Sequence, residues 1–549
     1  MEHSLLHAIQ LIGLIVALGG AFFVLALLAP LQRHFASDPA AVEYCRQISA
    51  TVTQWVSGGA LVAALGTLSD LFVQVAEVRS QTVFGGVDVG LVMKFATHTT
   101  VGHLCVARAA CLLLTAAAAG LPSARKWPLV AVLAAAAALF TGLVSHAAAQ
   151  PQARGLAVAS QIAHIGAAAT WVGVLIHLLA NRARIESATT SSAVAVVAEL
   201  VRRFSPIALT AVVLMLGSGL YAAVRNLVTP GGLLTSAYGL TLGVKLILLI
   251  PAVFAGFVNF RLIRPELIRI TRAAIARETA APVLQRFARM LELEVTAGLL
   301  VVTVAGIVGS ISPPGDDGSL RLTPAQVQAL LSPDLPSPSF VDPNSFVGVA
   351  GDRPVEDLRY SEFTHNWSGV FVCLLGACWL LPALGAGVGA IAGRVWPLLL
   401  LPFAGFIMVF SDPDVWLVPT NSVWSALGDP IIVEHQIGAA MVLLMAWLGW
   451  RDRHRPERER PLGYALPVIM IVGSVLLLGH AHSSLRVSDE LTNLINVQHA
   501  ILGALGLIAG TTRWLSLRGL LPPGPARIVW PALVVGIGMF MAFCYREIV

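Results

Sequence analysis

The residues with the clearest chemical potential in this sequence are its 14 histidines. Eight of them fall near the ends of predicted apolar helices, in two groups of four. The groups are His98, His103, His146 and His164 early in the chain, and His435, His480, His482 and His499 late in it. Imidazole suits copper, iron, zinc and nickel, whereas sites made of carboxylates alone suit magnesium or calcium. Each group therefore predicts a metal site.

Softer ligands lie near both groups. Cys105 follows His98 by seven residues, which places the two on one helical face. Met541 and Cys544 are three residues apart on the last apolar run. Thioether and thiolate ligands favour Cu(I), so a histidine site backed by these residues would suit copper. The secondary metal candidates are His3, His7, Cys105, Met541 and Cys544.

The same histidines also fit a different cofactor. Two imidazoles at similar depth on antiparallel helices are what bis-histidine ligation of haem b requires, and His146 and His164 meet that description. Arg108 and Lys245 are cations inside apolar runs, where a charge needs a partner. We expect them beside haem propionates in this alternative, although Asp70 is another candidate partner for Lys245. No C-x-x-C-H motif is present, which excludes covalently attached c-type haem.

The elements that must position these residues are membrane helices. The chain has 549 residues, of which 56% are hydrophobic and 12% charged, and its mean hydropathy is +0.79. Soluble proteins have about a quarter of their residues charged, and apolar runs of about 20 residues span a lipid bilayer. The composition predicts an all-α, polytopic membrane helical bundle of about 14 transmembrane helices. The modest net charge of +5 sits in short clusters between runs, so we expect no nucleic-acid partner.

The apolar runs divide into two halves of eight and six helices. The predicted helices are 4–29, 51–76, 95–119, 127–149, 156–181, 203–226, 238–263 and 287–311, then 366–386, 395–411, 431–450, 462–482, 493–515 and 527–546. We expect an N-terminal membrane half at 1–312, an extracytoplasmic linker rich in Pro, Ser and Asp at 313–365, and a C-terminal membrane half at 366–549. Short surface helices or loops are predicted at 77–93 and 186–200.

Basic residues set the expected orientation. Arginines crowd the segments 261–289 and 451–460, which the positive-inside rule assigns to the cytoplasm. The loops 313–365 and 411–434 are poor in basic residues and are expected outside. Fourteen spans then place both termini on the outer, periplasmic side, and both histidine groups in the outer half of the membrane.

Several motifs resemble those of a known family. The segment His164-Ile-Gly-Ala-Ala-Ala-Thr-Trp171-Val-Gly173 resembles the H-x6-W-x-G signature of the CopD family of bacterial copper-resistance inner-membrane proteins. Val174 stands where that family usually has a second glycine. Supporting motifs are Ser145-His146, Arg203-Phe204-Ser205-Pro206, Asn259-Phe-Arg-Leu262, Glu294, Ser411-Asp412-Pro413-Asp414, Glu434-His435-Gln436 and Tyr545-Arg546-Glu547. The second half is similar to the C-terminal part of longer members.

The resemblance implies an inner-membrane protein that handles copper, with a CopC-like periplasmic copper carrier as a partner. Our leading expectation is capture of copper ions by the histidine groups on the periplasmic face, followed by movement across the membrane, so that the chain is a transporter more than an enzyme. The alternative is a haem b oxidoreductase that passes electrons to copper or quinone. A third interpretation is a structural partner in the assembly of an oxidase or copper protein.

Overall fold

A computed structural model of the chain describes residues 2–78, 83, 87–123, 125–149, 153–188, 190–272, 277–314, 320–348, 353–385, 387, 389–455, 463–479 and 489–549. Throughout this part of the chain the regular structure is helical and contains no strand. The predicted all-α class is confirmed.

Thirteen helices among the described residues are long and apolar enough to cross a membrane, and one shorter apolar helix (α12) completes the 14 predicted. In chain order they are α1 Glu2–His34, α2 Pro39–Val78, α3 Thr100–Ala119, α4 Lys126–Leu143, α5 Arg154–Ala180, α6 Ser191–Leu227, α7 Ala237–Thr271, α8 Ala280–Val308, α9 Val355–Ala383, α10 Gly389–Phe410, α11 Ile431–Asp452, α12 Ala465–Gly479, α13 Glu490–Leu517 and α14 Gly524–Phe543. The chain is a multi-pass membrane protein.

Among the predicted boundaries that differ from the structure, two illustrate local causes. Helix α6 begins at Ser191, 12 residues before its predicted start, because the Thr190 hydroxyl accepts a hydrogen bond from the Ala193 N–H and caps it. Its first turns bury Val197 and Leu200, so part of the predicted surface segment is core. Helix α4 ends at Leu143, and a separate short helix follows it.

The linker contacts both halves. The Leu322 backbone N–H donates to the Thr235 carbonyl just before α7. The Gln326 side-chain amide donates to the backbone carbonyl of Glu490 at the start of α13. Asp334 N donates to the Phe543 carbonyl at the end of α14. These contacts bring the starts of α7 and α13 and the end of α14 to one end of the bundle, which we call the histidine end.

The two halves also share a core. One hydrophobic cluster contains Leu248 and Val304 from the first half together with Leu478, Val497 and Leu507 from the second. At the opposite end the carboxylate of Glu292 on α8 pairs with Arg182, after α5, and with Arg518, after α13. Burial of apolar surface therefore joins the halves within the bundle, and an ion-pair network joins them at its edge.

Helices α9 and α14 approach each other through glycines. A Cβ added at Gly538 of α14 would lie 2.3 Å from the backbone nitrogen of Cys373, and one at Gly369 of α9 would lie 2.3 Å from the nitrogen of Ala542. Only glycine allows two backbones to pack this closely. The pair matters because α9 and the residues after α14 both belong to the candidate site described below.

Replacing Gly538 by Ala is expected to force α9 and α14 apart and to lower the free energy of unfolding by about 1–3 kcal/mol, the usual effect of overpacking. Detergent-purified protein titrated with SDS, followed by tryptophan fluorescence, measures the change. Gly536→Ala on the same helix is the control, because an added Cβ there meets nothing within 4 Å. Equal unfolding curves for the two variants would contradict the close packing.

Candidate metal-binding site

Three imidazoles from three helices of the second half converge at the histidine end. The ring of His365 on α9 lies 6.1 Å, centroid to centroid, from His435 on α11 and 5.7 Å from His499 on α13. The Nδ1 atoms of His365 and His435 donate to the Ser361 and Ile431 carbonyls at 2.8 and 2.7 Å. Because a carbonyl only accepts, Nδ1 carries the hydrogen and Nε2 the lone pair. We call these three residues the second-half histidine cluster.

A buried tyrosine and carboxyl group support this cluster. The Tyr545 ring stacks on His365 with centroids 4.3 Å apart, and its hydroxyl donates to Glu547 Oε1 at 3.0 Å. The same oxygen accepts from Ser361 Oγ at 2.5 Å, while Arg353 Nη1 lies 3.5 Å from Oε2. Burial raises the pKa of Glu547, and burial beside that carboxyl raises the pKa of Tyr545. The stack and the carboxyl fix the orientation of the His365 ring.

The residues after α14 tie two of the three histidine-bearing helices, α9 and α13, together. The Arg546 backbone and the Gln498 amide exchange two hydrogen bonds, at 2.8 and 2.7 Å, which holds the segment to α13. The Asn366 amide of α9 donates to the carbonyls of Met541 and Tyr545 at 2.9 and 3.3 Å. Residues 544–547 therefore set the spacing between His365 and His499.

The spacing suits two imidazoles sharing one ion. With metal–nitrogen bonds of about 2.0 Å, two bound rings have centroids roughly 5–6.5 Å apart. No three His, Cys, Asp or Glu side chains of the described residues stand in ligating positions in this conformation. Two predicted members of the group, His480 and His482, lie outside the described residues.

The four histidines predicted to meet in the first half lie in three places. His98 and His103 share one exposed corner between α3 and the preceding short helix, where both contact Thr97. The His98 Nδ1 lies 2.8 Å from the Thr97 hydroxyl, and His103 Nε2 lies 2.7 Å from its carbonyl. The other two histidines are each found at a different helix interface.

His146 belongs with two secondary candidates instead. Its ring lies close enough to His3 and His7 for their charges to interact, and burial lowers its pKa, which favours the neutral imidazole a metal binds. His3 Nδ1 lies 2.6 Å from Asp70 Oδ1, and its ring is 6.1 Å from that of His7. Asp70 therefore pairs with His3 and not, as the sequence indicated, with Lys245.

A small internal cavity adjoins this first-half polar cluster of His3, His7, Asp70, Arg108 and His146. Its volume is about 10 Å³, and His7, Gln10, Thr67 and Arg108 are among the residues that line it. Arg108 is 5% exposed, and its Nε has no hydrogen-bond partner among the described residues. The cavity is large enough for about one water molecule, which would satisfy that donor.

His164 occupies a third environment. Its Nδ1 lies 3.0 Å from Ser218 Oγ, whose hydroxyl hydrogen is directed at the Leu214 carbonyl 2.7 Å away, so His164 donates. Lys245 lies close enough to interact with the His164 charge. No ring contact joins His164 to His146 in the described chain, and the two share no partner. The haem alternative pairs these two histidines, and no contact between them in the described chain supports that pairing.

The predicted sulfur ligands are dispersed. Cys105 is buried in an apolar cluster with Leu71 and Val92. The Met541 carbonyl binds the α9 amide described above, and burial raises the pKa of the Cys544 thiol, which keeps it protonated. Neither sulfur of the last helix belongs to the second-half histidine cluster.

Sequence reasoning missed His365 as a site residue and noted Tyr545 and Glu547 only as part of a family motif. His365 lies 70 residues before the next member of its cluster, so spacing alone gave no reason to group them. A usable signal existed, because the predicted orientation placed His365, His435 and His499 in the outer half of the same six-helix region.

Two family models match the chain. Residues 3–156 match the Copper resistance protein D-like N-terminal domain, and residues 198–308 match Copper resistance protein D. Neither the curated proteins nor the solved structures contain a match. The first-half polar cluster lies within the first matched region, whereas the second-half histidine cluster lies beyond both.

A carboxyl pair lies beside the second cluster, in the loop between α10 and α11. Gln436, next to His435, donates to the Met408 carbonyl and to Ser411 Oγ, which holds α11 against the start of this loop. Asp412 follows and is 3% exposed. Burial raises its pKa to about 7, and the neighbouring Asp414 carboxyl adds to the shift.

An acid whose pKa is raised by folding stabilises the folded state only while it is protonated. We therefore expect the wild-type chain to lose stability relative to Asp412→Asn as the pH rises from 3.8 through about 7. Thermal unfolding of both proteins in detergent across this pH range measures the difference. Superimposable pH profiles would show that Asp412 does not titrate as a buried group.

Proposed function

Because the chain belongs to the copper resistance protein D family, through the two domains carried by its first 308 residues, we propose that it captures copper ions at the histidine end and moves them across the membrane. The observation that carries the proposal is the convergence of His365, His435 and His499 from three helices. Neutral imidazoles suit copper, and their rings are already oriented by backbone carbonyls and by the Tyr545 stack.

We place the histidine end on the periplasmic side of a bacterial inner membrane, with both termini there. The Arg-rich segments at the opposite end support this orientation. A CopC-like carrier is the proposed donor of copper, and the carboxyl pair at Asp412 and Asp414 supplies acidic groups near the entry. The first-half polar cluster is a second group of imidazoles that faces the same side.

His365 and His499 are the pair to test. The double variant His365→Ala/His499→Ala should bind Cu(I) at least about tenfold more weakly, because two of the three converging ligands are lost. Equilibrium dialysis of the purified full-length protein against a Cu(I)-specific chelator measures the affinity.

The control is His34→Ala. This imidazole is exposed at the other end of α1, where it contacts Phe35. It should bind copper as the wild type does. Wild-type affinity in the double variant would remove the second-half histidine cluster from copper capture and leave the first-half polar cluster as the remaining candidate.

The haem alternative makes an opposite spectroscopic prediction. If the imidazoles serve copper, purified protein should lack a Soret band in both oxidised and reduced spectra and should contain copper rather than iron by elemental analysis. A Soret band that sharpens on reduction, with iron near one per chain, would instead establish haem ligation.

A further inference from the structure

A carboxyl group lies in the middle of the bundle, far from both imidazole clusters. Glu294 stands midway along α8 and is 3% exposed, about 21 Å from the end of that helix at 1.5 Å per residue. Its Oε1 accepts from the Trp171 indole N–H of α5 at 2.8 Å, and its Oε2 accepts from the Asn259 amide of α7 at 3.0 Å. Three helices therefore meet at one carboxyl group.

The surrounding backbone is shaped around this group. Trp171 and Asn259 both lie in π-helical turns, Ala169–Gly173 and Asn259–Ile263. Single π turns within α-helices occur frequently at functional positions. Gly256, one turn before Asn259, faces the carboxyl group, and a Cβ there would approach Oε1 to 3.0 Å. Two local distortions and a glycine thus open space that straight helices would not leave.

No cation neutralises Glu294 among the described residues. Glu292, two residues earlier on α8, pairs with Arg182 and Arg518, whose side chains extend from the segments after α5 and α13. On the helices packed against α8, the His177 ring contacts the Val16 carbonyl, Arg264 lies over the Phe260 ring, and Lys245 lies near His164. An ionised carboxylate in the membrane interior without a counter-charge is strongly disfavoured, whereas the protonated acid is not.

The groups around the Glu294 carboxyl favour the binding of a proton over that of a metal ion. Each carboxyl oxygen accepts an N–H, which partly stabilises the ionised form, and no three His, Cys, Asp or Glu side chains of the described residues stand together here as metal ligands. The Asn259 Oδ1 is buried and has no partner in the described chain, so a hydrogen-bond acceptor is available beside the carboxyl group. Glu294, Trp171 and Asn259 together thus form a site that can hold one proton.

We propose that Glu294 is the membrane-embedded proton-exchange site of this protein. It takes a proton from water on one side, becoming a neutral carboxylic acid, and returns it to water on the other, becoming the carboxylate again. This proposal rests on the proposed function in that the proton would move against the copper ion and balance its charge. Trp171 and Asn259 are positioning residues, which hold the two oxygens.

Infrared spectroscopy of the full-length protein tests the site without copper. A pH titration should reveal a buried carboxyl C=O band that is absent in Glu294→Gln, which keeps the shape of the side chain. In Trp171→Phe the band should shift, because Oε1 loses its N–H donor, and Gly256→Ala should shift it by crowding the same oxygen. Because Asp412 and Glu547 are buried acids too, the difference between the two proteins decides: identical sets of titrating carboxyl bands in the wild type and in Glu294→Gln overturn the proposal.

Proteoliposomes test the coupling. Cu(I), kept reduced with ascorbate, is added outside vesicles that contain a pH-sensitive dye. The wild type should change the internal pH as copper enters, and Glu294→Gln should slow this change by about a hundredfold, as loss of a proton-transfer group does. Glu186→Gln makes the same chemical change outside the membrane-spanning helices, in the short helix Arg182–Glu186, and should behave as the wild type. Equal proton movement in Glu294→Gln overturns the proposal.

The two proposals fail in different ways. Copper binding at the histidine end should be unchanged in Glu294→Gln, so its loss in the histidine variants tests capture alone. If the wild type moves copper with no proton movement, the exchange role of Glu294 is wrong and copper transport stands. If the wild type moves no copper, the infrared titration still decides whether Glu294 exchanges a proton.

Discussion

The interior of a bilayer supplies no water, and this constraint governs every polar group in the bundle. A charged or hydrogen-bonding side chain there is stabilised chiefly by partners that its own fold provides. Asp70 has His3, Glu294 has Trp171 and Asn259, and Glu547 has Ser361 and Tyr545. Apart from Tyr545, which is two residues from Glu547, these partners lie at least 35 residues away in the sequence, so satisfying them also specifies how the helices pack.

The architecture followed from composition and length because a spanning helix needs a long apolar run, and such runs are unmistakable in sequence. The start of α6 and the end of α4 were predicted wrongly. The cap at Thr190 and the break after Leu143 are local features that hydropathy does not register. Helix contacts are not encoded in any single run. His146 and His164 were therefore grouped by depth, yet the first meets α1 and the second meets α6.

The candidate site was likewise only partly predictable from the sequence. His435 and His499 were predicted from their positions at helix ends, and both lie in the cluster that the structure displays. His365 and the supporting Tyr545 could not be added without knowing that α9 packs along α14, a contact that depends on glycines at Gly369 and Gly538. Small residues carry little hydropathy signal, but they decide which helices become neighbours.

The segment after α14 links the order of synthesis to the formation of the site. Residues 544–547 link α9 to α13 and orient His365, and they are made after every helix that they connect. A chain still emerging from the ribosome can insert its helices but cannot yet order the imidazoles at their ends. Under the proposed function, copper capture at the second-half histidine cluster therefore begins only once residues 544–547 have been made.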